Sequence, residues 1–186
     1  MAFTLRHARR EDAPIILSLI QDLADYEKEP DAVEATVETL EKTIAFAPSD
    51  PETVSPDAAS LPVTEPITPN RISRCFLIFN EEGKPAGMAL YFYNYSTWRS
   101  KPGIHLEDLF VKPSERGKGY GKTLLAALAK EVIAMDGGRL EWVVLKWNKP
   151  SIDFYHSIGA QALDEWVGMR VDGEALVKLA DLGNNN

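Results

Sequence analysis

The chain of 186 residues is predicted to fold as one α/β domain, a mixed sheet with helices on both faces. Three observations predict this. Short apolar runs suited to strands recur, and two of them flank the turn Glu81-Glu82-Gly83 as a hairpin. Stretches with helical spacing lie between other such runs. A glycine-rich turn, Arg116-Gly117-Lys118-Gly119-Tyr120-Gly121, joins a strand pattern to a helix pattern.

The elements follow in order. Residues 4–8 read as a short strand. Ile16, Leu19, Ile20 and Leu23 recur at helical spacing after Glu11 and Asp12, which suit a helix start, and Pro30 stops that helix near Glu29. Val37, Leu40 and Ile44 suggest a second helix. Residues 75–79 and 85–95 form the hairpin, and 104–111 a third apolar strand. After the glycine turn, Leu124, Leu128 and Val132 share one helical face up to Asp136. Residues 139–146 read as a strand. Residues 150–157 read as a helix with Pro150 in its first turn and Gly159 just past its end. Residues 161–180 are assigned one or two closing strands.

Residues 48–70 differ from their surroundings. They hold Pro48, Pro51, Pro56, Pro62, Pro66 and Pro69 and no aromatic residue. Such a stretch buries too little apolar area to offset its ordering entropy, so 47–72 reads as a flexible surface insertion in a domain spanning 1–180. The tail 181–186 reads as disordered.

The net charge of −8 argues against a general nucleic-acid partner and suits a cationic one. Half of it (Asp50, Glu52, Asp57, Glu65) sits in the insertion. No window approaches the roughly 20 apolar residues of a membrane span. The N-terminus shows no long apolar signal core. Cys75 is the only cysteine, which fits a reducing compartment, cytoplasm and nucleus alike. His7, His105 and His156 have no metal-ligand spacing, so no metal is expected.

A glycine turn between strand and helix leaves backbone N–H groups unpaired at a positive dipole end, which holds phosphate oxygens. The same glycines also suit a plain tight turn that needs positive φ. The Walker spacing is absent. A dinucleotide fingerprint needs another glycine spacing, placed near an early strand.

The string from Arg116 to Gly121 matches the acetyl-CoA signature of the GNAT acetyltransferase superfamily: Arg or Gln, two residues, Gly, one residue, then Gly or Ala. Further runs resemble its spermidine/spermine and thialysine (diamine) acetyltransferase branch. They are Leu23-Ala-Asp-Tyr-Glu-Lys28, Tyr95-Ser-Thr-Trp98, Leu106-Glu-Asp-Leu-Phe-Val111, and Trp147-Asn-Lys-Pro-Ser-Ile-Asp-Phe-Tyr155 followed by Gly159-Ala160. The resemblance covers nearly the whole chain outside the insertion and the tail. It implies a mostly antiparallel twisted sheet splayed in the middle. It also implies N-acetyl transfer from acetyl-CoA to a primary amine by direct attack in a ternary complex, in a cytoplasmic homodimer.

Roles follow residue by residue from that resemblance. Gly117, Lys118, Gly119, Tyr120, Gly121 and Lys122 would present N–H groups to the CoA pyrophosphate, with charge from Arg116 and Lys118. The backbone of Leu109, Phe110 and Val111 would bind pantetheine and supply one donor to the thioester oxygen. Asn148 and Ser151 would contact CoA, although Asn148 also suits a helix N-cap. Tyr155 would protonate the departing thiolate, since its ordinary value near 10 matches the task; packing on an amphipathic helix is the plainer reading.

Glu107 would face the amine, and deprotonating an amine near 10 at neutral pH costs about 4 kcal/mol. Neighbours on a regular strand point to opposite faces, so Asp108 reads as structural. Tyr26, Glu27, Trp98, Glu141 and Trp142 are the remaining substrate candidates; a solvated helix end explains Tyr26 and Glu27 nearly as well. Ser96 and Thr97 stand where the polyamine branch carries an acidic residue and a proline. The resemblance therefore favours a small lysine-type amine, amino acid or diamine over spermidine. A protein or peptide acetyltransferase and a non-catalytic CoA-binding module are the other readings.

Overall fold

A computed structural model of the chain describes residues 2–49 and 61–182. The centre of the proline-rich stretch and the Asn-rich tail lie outside them. The described residues form two compact units that divide after Val143.

The first unit is built on one sheet. Its strands are β1 (Thr4–His7), β2 (Ser73–Phe79), β3 (Pro85–Ser96), β4 (Lys101–Val111) and β5 (Leu140–Trp142), side by side in that order. Neighbours pair antiparallel except β4 and β5, which are parallel. The expected hairpin is present, and Gly83 in its turn takes φ of 74°, where only glycine is unstrained.

Helices cover both faces. Helices α1 (Ala13–Glu27) and α2 (Val37–Thr43) bury Ile16, Leu19 and Leu40 against Cys75, Leu77, Met88, Leu90 and Phe110. On the other face, α3 (Tyr120–Ala134) lays Leu124, Leu128 and Val132 over Tyr91, Ile104 and Leu106. A buried network joins that helix to the sheet. The Glu131 carboxylate accepts from the hydroxyls of Tyr91 and Tyr93, each at 2.6 Å, and Tyr91 Oη lies 2.8 Å from His7 Nε2.

The entry to α1 rests on Asp12. Its carboxylate takes two bonds from the Arg6 guanidinium, at 2.6 and 3.0 Å, and one from the Arg9 amide at 2.8 Å. Burial opposes the ionised form, but Arg6 and the Arg9 amide outweigh it and hold Asp12 below the usual carboxylate range. At the other end Lys28 closes the helix at φ of 68°, donating to Ala24 and Asp25.

Residues 61–72 are tethered. The Glu65 amide donates to the Phe46 carbonyl at 2.8 Å, and the Glu65 carboxylate accepts from the Phe46 amide at 3.2 Å and meets Arg10 at 2.5 Å and Arg71 at 3.4 Å. Thr64 accepts from Arg74 at 2.8 Å.

The second unit holds α4 (Lys149–Ser157) and α5 (Gly173–Asp181). Here the structure corrects the sequence reading. The expected closing strands over 161–180 are not formed: residues 161–172 carry no regular element, and α5 follows. The stretch Glu-Ala-Leu-Val-Lys-Leu-Ala is rich in strong helix formers, and Glu174 faces Lys178 one turn on at 3.7 Å. The strand expected over 139–146 shortens to Leu140–Trp142.

Asp12→Ala should destabilise the protein by about 3 kcal/mol, because it strands a half-buried guanidinium. The contribution of Asp12 is present above its ordinary carboxylate value and fades as the pH falls through its depressed folded value. Denaturant titrations of both forms at pH 7 and near pH 3 check this: the gap should narrow in acid.

Candidate active site

The site grows from one irregularity in β4. Leu90 pairs with Asp108 and Tyr91 with Leu106, so Glu107 has no opposite residue and forms a β-bulge. In a regular strand Glu107 and Asp108 would diverge. The bulge turns both to the α1 side. Asp108 stands opposite Leu90, in the core under α1. Glu107 reaches back toward His105, whose ring stacks on Phe92 (centroids 5.0 Å apart) and whose Nε2 lies 3.7 Å from the carboxylate.

The end of α1 closes the site. The Arg116 guanidinium sits 4.9 Å from the centre of the Tyr26 ring, and Arg116 Nε donates to the Val111 carbonyl at 3.1 Å. One residue thus ties the helix end to the end of β4. Beside it is a cleft of about 530 Å³ lined by Asp22, Asp25, Tyr26, Phe110, Lys112, Pro113 and Ser114. Glu27 is pushed above the usual carboxylate range by burial. Asp108 is pushed up to about 6, by burial first and then by the charges of Glu107 and Glu27. Asp108 thus senses both neighbouring carboxylates, and burial withholds from it and from Glu27 the water that would favour their charge.

The edge of β4 is the second component. Its pairing with β5 covers only Ile104, His105 and Leu106. Among the described residues no strand continues along this edge beside Leu109, Phe110 and Val111. The β4 edge is therefore open where the backbone of these residues is expected to bind pantetheine. Their side chains do separate work: Phe110 is buried in the α1 core.

The glycine turn is the third. Gly117 and Gly119 take φ of 80° and 83°, and nothing lies within 4 Å of where a Cβ would stand at either. Conformation, not crowding, demands glycine here. Tyr120 opens α3, so the amides of Tyr120, Gly121 and Lys122 lie in its first turn, where helices offer no carbonyl partner. Lys118 Nζ is 2.8 Å from Glu115. An open cradle of first-turn amides beside Arg116 and Lys118 fits a pyrophosphate.

The other predicted residues are placed as follows. Glu141 shares the face of His105 and is held by Arg139 Nε at 2.9 Å and by the Asn94 amide. Trp142 pairs with Leu106 and so stands on the α3 face, opposite the carboxylates. Trp98 is 92% exposed at the tip between β3 and β4. From Lys101, beside that tip, to Glu107 is about 20 Å along β4 at ~3.3 Å per residue. In the second unit, Asn148 caps α4 by accepting from the Ser151 amide at 3.4 Å, and Tyr155 lies on that helix with its ring 5.4 Å from Phe154. Gly159, at φ of 92°, ends the helix as expected. Sequence reasoning read Asp108 as structural and His105 as structural or solvated; the structure sets both beside Glu107. Among the described residues no cluster of three or more His, Cys, Asp or Glu suits a metal ion, and no helix is long and apolar enough to cross a membrane.

An open strand edge in the sheet and a glycine cradle at a helix start define an acyl-CoA-dependent transferase class. Residues 20–160 match the family described as "Acetyltransferase (GNAT) family", and the chain belongs to it. It is an acetyl-CoA-dependent N-acetyltransferase. The chain is 36% identical to thialysine N-epsilon-acetyltransferase of Bos taurus over 97% of its own length and 99% of that protein's. It is 35% identical to the Caenorhabditis elegans enzyme of the same name over 92% of each. It is 44% identical to L-ornithine N5-acetyltransferase NATA1 of Arabidopsis thaliana over 49% of this chain and 40% of that one. Among solved structures, an integron cassette protein from the V. cholerae mobile metagenome shares the fold, with a TM-score of 0.71 at 23% identity over 97% of this chain and 98% of that one.

Asp108→Asn should stabilise the fold. The folded value of Asp108 lies above its ordinary one, so its protonated form is favoured below about pH 4 and that advantage is lost as the pH rises through about 6. The Asn variant should therefore gain up to about 3 kcal/mol over wild type at pH 7.5, and the gain should vanish at pH 4. Chemical denaturation at the two pH values measures it.

Proposed function

We propose that the chain transfers acetyl from acetyl-CoA to the primary amine of a small lysine-type molecule, by direct attack in a ternary complex. The observation that carries this reading is the bulge that turns Glu107 and Asp108 together toward Tyr26 and Glu27. Clustered, partly dry carboxylates favour a cation over a neutral or anionic acceptor. The near full-length relatives named for thialysine support a small amine.

Acetyl-CoA supplies the activated acetyl group as a thioester. The first-turn amides of α3, with Arg116 and Lys118, hold its pyrophosphate, and Asn148 and Ser151 add contacts. The backbone of Leu109, Phe110 and Val111 holds the pantetheine arm and donates one hydrogen bond to the thioester oxygen. Glu107 takes the proton of the acceptor ammonium, directly or through a water. Tyr155 gives its hydroxyl proton to the departing sulfur. Tyr26 and Glu27 orient the acceptor; Glu141, Trp142 and Trp98 are the outer candidates. We assign a homodimer to the working protein, in line with the family resemblance and with the exposure of Trp166, Val167 and Met169. The lone, buried Cys75 suits a reducing compartment such as the cytoplasm.

A turnover screen with acetyl-CoA against thialysine, lysine, ornithine, spermidine and a peptide panel tests the substrate. The highest kcat/KM should fall on the lysine-type amines; a clear preference for spermidine or peptides rejects the reading. Tyr155→Phe should keep acetyl-CoA affinity and lose about a hundred-fold in kcat, and Glu107→Gln should lose about as much in kcat/KM. An unchanged kcat in Tyr155→Phe removes it as the acid.

A further inference from the structure

His105 is the one described imidazole beside the candidate acceptor site, and the function stated above leaves it without a role. It lies on β4 two residues before Glu107. The bulge folds Glu107 back toward it, leaving 3.7 Å between His105 Nε2 and the carboxylate. A small rotamer change or one bridging water makes that a hydrogen bond. The imidazole cannot swing away freely. Phe92 of β3 stacks on it with an interplanar angle of 25°, and Glu141 of β5 is its register partner. The charged and polar groups around it are therefore few: Glu107 on its own strand, Asn94 on β3, and Glu141 with Arg139 beside β5. Glu141 is already held by Arg139 Nε and the Asn94 amide, so it does not compete strongly for the ring.

Each turnover releases one proton from the acceptor ammonium. Glu107 can hold it once, and must lose it before the next acceptor arrives. The imidazole of His105, 3.7 Å from the carboxylate, is a group that accepts a proton at one nitrogen and releases one from the other. The geometry points to His105 as a proton relay: the ammonium proton passes to the Glu107 carboxylate, from there to His105 Nε2, and the resulting imidazolium gives its proton to water. One N–H bond breaks and one forms at each transfer, the amine nitrogen keeps its electron pair for attack on the thioester, and nothing is oxidised or reduced. His105 thus acts through Glu107 as a positioning and relay residue. This inference rests on the proposed role of Glu107.

The test uses the full chain, with kcat measured from pH 6.5 to 9.5 at saturating acetyl-CoA and the best amine of the screen. His105→Phe keeps the stack on Phe92 and removes both nitrogens; His105→Gln serves as a second variant if the first does not fold. Near pH 7 either variant should lose about ten-fold in kcat with acetyl-CoA affinity unchanged. The deficit should shrink toward pH 9.5, where much of the acceptor amine arrives already deprotonated. Imidazole added to the assay should restore part of the lost rate in His105→Phe and none in Glu107→Gln. A deficit of the same size at every pH without imidazole rescue would mean a structural role and overturns the relay. Wild-type kcat in both His105 variants, with Glu107→Gln impaired, overturns the relay alone. Wild-type activity in Glu107→Gln overturns the role of Glu107 and the relay with it.

Discussion

One extra residue in β4 is the constraint on which the site depends. A regular antiparallel pair would send Glu107 and Asp108 to opposite faces, one under α3 and one under α1. The bulge spends Glu107 without a partner and resets the alternation. Ile104 and Leu106 still face α3, while Asp108 and Phe110 face α1. The same irregularity stands where β5 stops pairing, since that ladder ends at Leu106. Acidic side chains and an open backbone edge thus come from adjacent residues of one strand. An amine held by the first and a thioester held by the second would meet there without any long-range movement.

Such an irregularity needs support, and the opposite face supplies it. Tyr91 is the bulge residue on β3, fully buried, with its hydroxyl fixed between Glu131 of α3 and His7 of β1. Burial, and then the charge of Arg74, push His7 down to about 3, so the ring stays neutral. Burial also pushes Glu131 up, although the two tyrosine hydroxyls oppose it. A hydrogen-bonded polar network under a helix resists sliding better than an apolar contact, because a shift of register would strand its buried groups. Strands β1 and β3 and helix α3 are locked together at the level of the bulge, which holds the register of the carboxylates.

The legible parts of the chain were those with a local signal. Alternation marked the hairpin, a 3.6-residue period marked α1 and α3, and the glycines marked the turn before α3, where φ of 80° and 83° admits little else. Pro150 and Gly159 bracketed α4. The bulge was illegible because it is a relation between two strands. Its only trace in sequence is that apolar residues occupy even positions up to 106 and odd and even ones from 109 onward. That Asp108 shares a face with Glu107 was illegible for that reason. Residues 161–180 were misread because Leu176, Val177 and Leu179 satisfy a short strand pattern as well as a helix. There the run of helix formers and the Glu174–Lys178 pair decided the outcome.

The electrostatics of the cleft bear on the acceptor. Burial holds Glu27 above its ordinary range, and burial together with the charges of Glu107 and Glu27 holds Asp108 above its own. An ammonium entering beside them removes part of that penalty, so its binding and the ionisation of the carboxylates reinforce each other. A polycation would gain the same relief, but it would also meet Lys112, which lines the cleft together with Asp22 and Asp25. A lysine-type molecule carries an α-carboxylate as well as its ammonium groups, and a lining of both signs can satisfy both. In the proposed reading, Lys112 in that lining would repel a polyamine and attract the carboxylate of an amino acid.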